Sequence, residues 1–462
     1  MLYESRMKGR DAEDSDDFGF GEASRYAAHL DRGWALLDRG DHAAARTSAE
    51  HAAEARPDDP DAAVLLGAVS LAEGNADDGL RWYERAIELD PEYLEPYTAA
   101  AQVCLYDLDD PARGLRYCSD ALELEVLSPF DRLDLHLVAA ECELSLGLLV
   151  EPRRRLATLD EEAVLMSTLR LAAQPELLDE FDDQDPDDDK AVAVLYLRRD
   201  GDEELDEEER VERIGRALQL AFRLARMRLD LGDAETPTGS LTEILRWYPG
   251  EPDAWGLVSE AHFRASRLPE ASVAALKTLE LDHELPVPDW VPSFALVHRR
   301  VVQVVKECPE PIIGALVDIP LTVMVRDAPA PELVMEGVDP RVAVLALAGR
   351  PGMLLDGAEE TEPPPPQLTG LAVYRRNLAR FARDPEQFDQ QLRFSVLDEL
   401  ATFVGLPDDA RGRLGLPPLG PDPSASLTSA GVVPPSTDEA EGEETGKSKR
   451  KRGRRRRSRA PN

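Results

Sequence analysis

Between residues 26 and 125 the chain repeats itself about every 34 residues, and that period restricts its fold more than any other feature. The clearest copy runs from Asp61 to Pro91, with Leu66-Gly67, Gly74, Tyr83, Ala86 and a closing Asp90-Pro91. One period earlier stand Arg32-Gly33, Gly40, Ala49, Ala52 and Pro57. One period later, with a residue inserted, Gly114, Leu115, Arg116, Tyr117 and Ala121 answer Gly79, Leu80, Arg81, Trp82 and Ala86. A unit of this size is a pair of short helices that must stack on its neighbours to bury its apolar face. Small residues such as Gly67 and Ala86 let paired helices approach, and Leu66 and Tyr83 fill the seam. Pro57 and Pro91 end the second helix of each pair and redirect the chain.

The pattern resembles the tetratricopeptide repeat. A fourth pair spans about Pro129 to Asp160, and two more follow Glu209. One of these closes on Trp247-Tyr248-Pro249; the other begins Pro252-Asp253-Ala254-Trp255 and includes Ala271, with Trp255 at the repeat's tryptophan position. The resemblance implies concave faces that bind peptide or protein. Between the two blocks lies an acidic stretch, Asp179 to Glu209, containing Asp182-Asp183-Gln184-Asp185-Pro186-Asp187-Asp188-Asp189. A calcium loop needs its central Gly and a Glu at the twelfth position, and neither is in register here. A solvated loop is the better reading. The apolar run Ala191 to Leu197 inside it fits a helix or a strand.

The C-terminal third has a different grammar. Leu321 to Val325 is short, β-branched and bounded by turn residues, as strands are. Asp384-Pro385-Glu386 starts a helix, with Asp384 as N-cap and Pro385 at the first helical position. Phe388, Leu392, Val396, Leu397, Leu400, Phe403 and Val404 then recur at helical spacing until Gly405.

The segment Leu397-Asp398-Glu399-Leu400-Ala401-Thr402-Phe403-Val404-Gly405-Leu406-Pro407-Asp408 resembles the active-site helix of the minimal zincin-like metallopeptidases. Their pattern is H-E-x-x-H-x-x-G-x-x-D, in which two His one turn apart bind zinc and the Glu activates water. Glu399, Gly405 and Asp408 fall on the pattern, whereas Asp398 and Thr402 stand where the histidines belong. Phe294 to Cys308, Leu321 to Asp327 with Pro329 and Pro331, Gly370 to Arg376 and Pro385 to Gly405 follow the family's order of helix, strand, G-x-y-R strand and active-site helix. The resemblance covers about Trp290 to Leu419.

Ligand chemistry argues against zinc. The seven histidines are His29, His42, His51, His136, His262, His283 and His298, so none follows His298, and the nearest cysteine, Cys308, stands alone. Four cysteines without a C-x-x-C pair also argue against a structural zinc site or a disulfide framework. His283-Glu284 is followed by Pro286 and Pro288 instead of a second His, and His262 and His298 fit surface or interface positions on helices. Two further readings of the helix stay open: a plain amphipathic core helix with Asp398 and Glu399 facing solvent, or a hard-cation site formed by Asp398, Glu399 and Asp408.

The formal net charge is −38, yet the chain ends in a basic tract of ten cations: Lys447, Lys449, Arg450, Lys451, Arg452, Arg454, Arg455, Arg456, Arg457 and Arg459. The rest of the chain therefore carries −48. Such asymmetry points to polyanion contact through the tail alone. Pro417 to Gly446, rich in Pro, Ser, Gly, Thr and Glu, has the composition of a disordered tether, and Pro363 to Pro366 that of a polyproline loop. No apolar run reaches membrane-spanning length, Met1 to Arg10 lacks a signal peptide's apolar core, and a cytoplasmic location is expected. Phosphate-cradling loops, nucleophile elbows and kinase signatures are missing from the sequence.

The expected architecture is mainly α: tetratricopeptide-like helical repeats, then a small α+β zincin-like domain and a disordered basic tail. The expected divisions are a disordered 1–23, repeats over 24–160, an acidic linker region over 161–209, further repeats over 210–285, the degenerate zincin-like domain over 290–419, and linker plus tail over 420–462. The expected function is a non-catalytic interaction scaffold, a pseudo-metallopeptidase without cofactor or metal. It would bind protein or peptide through its repeats, and nucleic acid or another polyanion through its tail, with no membrane contact. Two alternatives accompany it: a peptidase with an altered metal site, and a nucleic-acid- or ribosome-associated protein that binds through its tail.

Overall fold

A computed structural model describes residues 20–177, 189–197, 206–313, 321–349 and 367–419. The basic tract and its tether, the polyproline segment and most of the central acidic stretch lie outside these residues. Six helices form the first block in three antiparallel pairs: α1 (Phe20–Asp38) with α2 (His42–Ala55), α3 (Pro60–Ala72) with α4 (Ala76–Leu89), and α5 (Leu94–Tyr106) with α6 (Pro111–Ala121). Local chemistry sets their limits. Asp41, Asp59 and Asp110 cap helix starts, and Pro60 and Pro111 occupy first-turn positions where no amide hydrogen is needed. Gly40 and Gly74 take positive φ, 78° and 81°, at the turn inside a pair.

The 34-residue period is a packing period. A Cβ placed on Gly67 would lie 2.7 Å from the Tyr83 ring, and one on Gly114 would lie 3.0 Å from both the Ala101 carbonyl oxygen and Cys142 Sγ. Glycine at these points sets how closely the helices approach, and Ala86 and Ala121 are fully buried opposite.

The stack continues with α7 (Pro129–Ser145) and α8 (Val150–Ala157). The acidic linker expected over 161–209 is not linker throughout. Glu161–Ala173 is a helix, α9, which buries Val164, Leu165 and Leu169 against α7 and the helices that follow. Its apolar residues recur at i, i+1 and i+5, and the acidic residues further on overshadow that spacing. The run around Ala191 is also helical, α10 (Asp189–Leu197). Then come α11 (Glu207–Asp230), α12 (Glu235–Trp247), α13 (Pro252–Arg264) and α14 (Leu268–Glu284). Asp206 and Glu209 form a reciprocal capping box at the start of α11. Arginines of α11 join the blocks: Arg216 meets Asp131 at 2.5 Å, Arg223 meets Asp134 and Glu141, and Arg228 meets Glu162 at 2.7 Å.

After α15 (Phe294–Lys306) and the short α16 (Glu310–Ile313), the chain enters a three-stranded sheet. β1 (Thr322–Arg326) is followed by α17 (Pro331–Met335), β2 (Val344–Gly349), β3 (Gln367–Tyr374) and α18 (Arg375–Ala379). The order is β1-β3-β2, with β3 parallel to β1 and antiparallel to β2. Gly370 is needed at the β1–β3 contact, because a Cβ there would lie 2.4 Å from the Thr322 carbonyl oxygen. The last helices are α19 (Pro385–Phe403) and α20 (Asp408–Arg413). Val297 and Val301 of α15, Leu371 and Val373 of β3, and Phe388 and Val396 of α19 share one core. Among the described residues, no helix is long and apolar enough to cross a membrane.

Close packing and helix propensity act oppositely on two glycines. Gly67→Ala should cost about 1–3 kcal/mol by forcing the Tyr83 ring aside. Gly239→Ala in α12, where nothing lies within 4 Å, should gain up to about 1 kcal/mol from helix propensity. Urea unfolding of both variants checks the pair, and equal effects would show that the repeat glycines do not set the helix spacing.

Candidate functional site

The C-terminal helix α19 is fixed at both ends. The Asp384 side chain accepts from the amides of Glu386 and Gln387 at 2.8 and 2.9 Å, and Pro385 opens the helix. At the other end the Gly405 amide donates to the Thr402 carbonyl at 3.0 Å and the Leu406 amide to the Ala401 carbonyl at 2.9 Å, with Gly405 at φ 65°. This is a glycine-terminated helix end, as the sequence predicts.

Beside the buried residues Leu397, Leu400 and Ala401 of α19, Asp398 and Thr402 stand one turn apart and so share a half-buried face. A third residue fills the space between them. Arg411, on α20, is 2 % exposed and aims its guanidinium at both: Nη2 donates to Asp398 Oδ1 and Nη1 to Thr402 Oγ1 at 3.2 Å. Its Nε donates to the Pro417 carbonyl at 2.6 Å. Asp408, at the start of α20, accepts from the Leu419 amide at 2.7 Å. Together Arg411 and Asp408 fold residues 414–419 back across α20.

Glu399 points elsewhere. Its Oε1 accepts from the amide of Ala346 on β2 at 2.7 Å, which ties the helix to the sheet edge. Burial pushes its carboxyl up to about 7, the Ala346 amide pulls it down, and the neighbouring Asp398 charge adds to the rise. Burial also raises Asp398, against the pull of Arg411. The reading in which Asp398 and Glu399 simply face solvent does not describe this geometry.

Sequence reasoning placed the five positions on one helix and its exit but missed both partners. Arg411 was legible only as a basic residue in the run Asp408 to Arg413, with nothing to say that it turns inward. The strand that carries Ala346 lies in the apolar run Val342 to Ala348, whose pattern alone does not separate a buried strand from a helix.

The donor set does not fit zinc. Asp398 is engaged by a fixed cation, Thr402 offers a neutral hydroxyl, and a catalytic zinc site usually takes imidazole or thiolate nitrogen and sulfur. Among the described residues, no group of three or more His, Cys, Asp or Glu is placed to hold a metal ion. His262 and His283 lie on α13 and α14 and His298 on α15, away from α19 in the chain. A hard-cation site would need Asp398, Glu399 and Asp408 to converge, whereas each meets a different donor.

Residues 320–414 match the zincin-like metallopeptidase family, and residues 30–93 match the tetratricopeptide repeat. The chain joins tetratricopeptide repeats to a zincin-like domain. No curated protein matches the chain. Solved structures similar to parts of it include YrrB, a tetratricopeptide-repeat protein with an unusual peptide-binding site, at 12% identity over 50% of this chain and 91% of that one, TM-score 0.30. PilW, a widely conserved type IV pilus biogenesis factor, has 14% identity over 57% and 95%, TM-score 0.37. Pseudomonas aeruginosa pilF has 15% identity over 51% and 96%, TM-score 0.29.

Glu399 gives the zincin-like domain a pH signature. An acid held above its usual 4.5 binds its proton more tightly when folded, so its contribution is most favourable below about pH 4.5 and is lost as pH rises to about 7. Glu399→Gln, which keeps the acceptor for Ala346, should therefore stabilise the protein at pH 8 by up to about 3 kcal/mol and leave it unchanged at pH 4. Denaturant titrations at the two pH values test this, and a variant destabilised at pH 8 would contradict it.

Proposed function

We propose that the protein is a non-catalytic interaction scaffold, in which tetratricopeptide repeats bind protein or peptide and the zincin-like domain works without metal. The observation that carries this reading is the Arg411 guanidinium between Asp398 and Thr402. A guanidinium supplies a positive charge and donors only. It offers no open coordination position, and so it neither polarises a carbonyl as a metal does nor lowers the pKa of a bound water. The helical repeats, a module that stacks into extended binding surfaces, support the protein-binding half. The zincin-like half is then a pseudo-metallopeptidase, and its location is cytoplasmic.

Purified protein should hold far less than one zinc per chain and hydrolyse no peptide. Stoichiometric zinc after dialysis, with proteolysis abolished by Glu399→Gln, would overturn the proposal. A converse experiment isolates the role of Arg411. Asp398→His with Thr402→His should gain little zinc affinity while the guanidinium remains, and adding Arg411→Ala should raise it by at least about tenfold, because two imidazoles one turn apart then share an unoccupied face. Calorimetric zinc titration of the two variants measures the difference.

The basic tract supports a second activity, since ten cations follow a chain that otherwise carries −48. Retention on RNA or DNA should fall steeply between about 50 and 200 mM salt and vanish when residues 447–462 are removed. The isolated tail should bind more tightly than the whole protein, whose acidic surface competes for it. Equal binding by both at matched salt would remove the self-contact, and binding by neither would remove the nucleic-acid role.

A further inference from the structure

A stack of helix pairs ends in an apolar face that its last unit cannot bury, so solenoids need a terminal element to cover it. Here the last pair is α13 and α14, and what covers it is the zincin-like domain. Val334 of α17, 1 % exposed, sits against Ala275 and Leu279 of α14. Around this apolar contact three arginines of the zincin-like domain reach back to the repeat.

Arg341 donates to both carboxylate oxygens of Asp282, at 2.8 and 3.1 Å, and to Asp253 at 2.6 Å. Arg380 donates to the same two acids, at 2.7 and 3.2 Å. Arg376 meets the carbonyls of Asp282 and Leu285, both at 2.6 Å, where the end of α14 leaves acceptors without helical partners. The loop that carries Arg341 is itself held, because the buried Asn377 amide donates to the carbonyls of Pro340 and Val342 at 2.9 and 2.7 Å. The Asp282 side chain is 7 % exposed, and two guanidinium groups satisfy it from the domain alone. Exposed surface ion pairs hold little, but a buried carboxylate with several guanidinium donors costs a great deal to strip of them.

We propose that the zincin-like domain serves as the C-terminal cap of the helical stack. Its function would then be to cover and fix the last repeat, a role that needs neither zinc nor an active-site histidine. This capping role does not depend on which partner the repeats bind.

The test is amide hydrogen exchange on the full-length protein. Arg376→Met keeps the aliphatic stem and removes the donors to the end of α14. It should speed exchange in Leu279–Glu284 by at least about tenfold, while amides of Leu392–Leu400 in α19 and of α3 and α4 keep their wild-type rates. Arg376→Lys, which retains a cation at that helix end, should restore part of the protection. Unchanged exchange in α14 with Arg376→Met would overturn the proposal. Should that variant fail to fold, Arg380→Met gives the same reading through its more accessible contacts, and wild-type protection of α13 and α14 in it would equally overturn the cap.

Discussion

A helix pair of about 34 residues cannot bury its own apolar face, and everything in the first two-thirds of this chain follows from that. The pairs must approach closely, which requires Gly67 and Gly114, where a Cβ would lie 2.7 Å from the Tyr83 ring and 3.0 Å from the Ala101 carbonyl oxygen. They must also stay in register across the junction between blocks, which Arg216, Arg223 and Arg228 of α11 arrange by reaching acids on α7 and α9. Because each unit contacts only its neighbours, the two ends of the stack are its weak points. At one of them the zincin-like domain is docked.

In that domain the two positions where the zincin-like pattern places histidines hold an acid and a hydroxyl, and one cation bonds both. The partly buried Asp398 carboxylate needs a compensating charge. Arg411 provides that charge, and its burial is tolerable because Asp398, Thr402 and the Pro417 carbonyl accept from three of its nitrogens. The contact has a structural consequence as well: Arg411 and Asp408 fasten Pro417 and Leu419, so residues 414–419 belong to the fold.

Much of this was legible in the residues. The repeat period, the N-cap at Asp384, the stop at Gly405 and the four pieces of the zincin-like order rest on local chemistry and spacing, which sequence displays directly. Three things were not legible. The helix Glu161–Ala173 stands beside a run of aspartates that dominates the composition of its neighbourhood. Apart from Val344, the strand Val344–Gly349 is made of Leu, Ala and Gly, residues with weak strand preference, and it pairs with β3 along its length. Arg411 is one of many arginines, and only the tertiary fold turns it inward. The family pattern singled out Asp398 and Thr402, and the fold was needed to show what they meet.

The end of α14 carries one more implication. Asp282 and Glu284 lie in its last turn, where the helix dipole disfavours negative charge and where a freestanding helix would carry Lys or Arg. The local sequence is therefore at odds with the helix it forms, and the conflict is resolved only by arginines nearly 60 residues or more further along the chain. A repeat written in this way is not interchangeable with its neighbours. Grafted into the middle of another stack it would fray, and during synthesis it stays incomplete until Arg341, Arg376 and Arg380 have emerged, which makes the finished fold of the repeats a late event even though their sequence comes first.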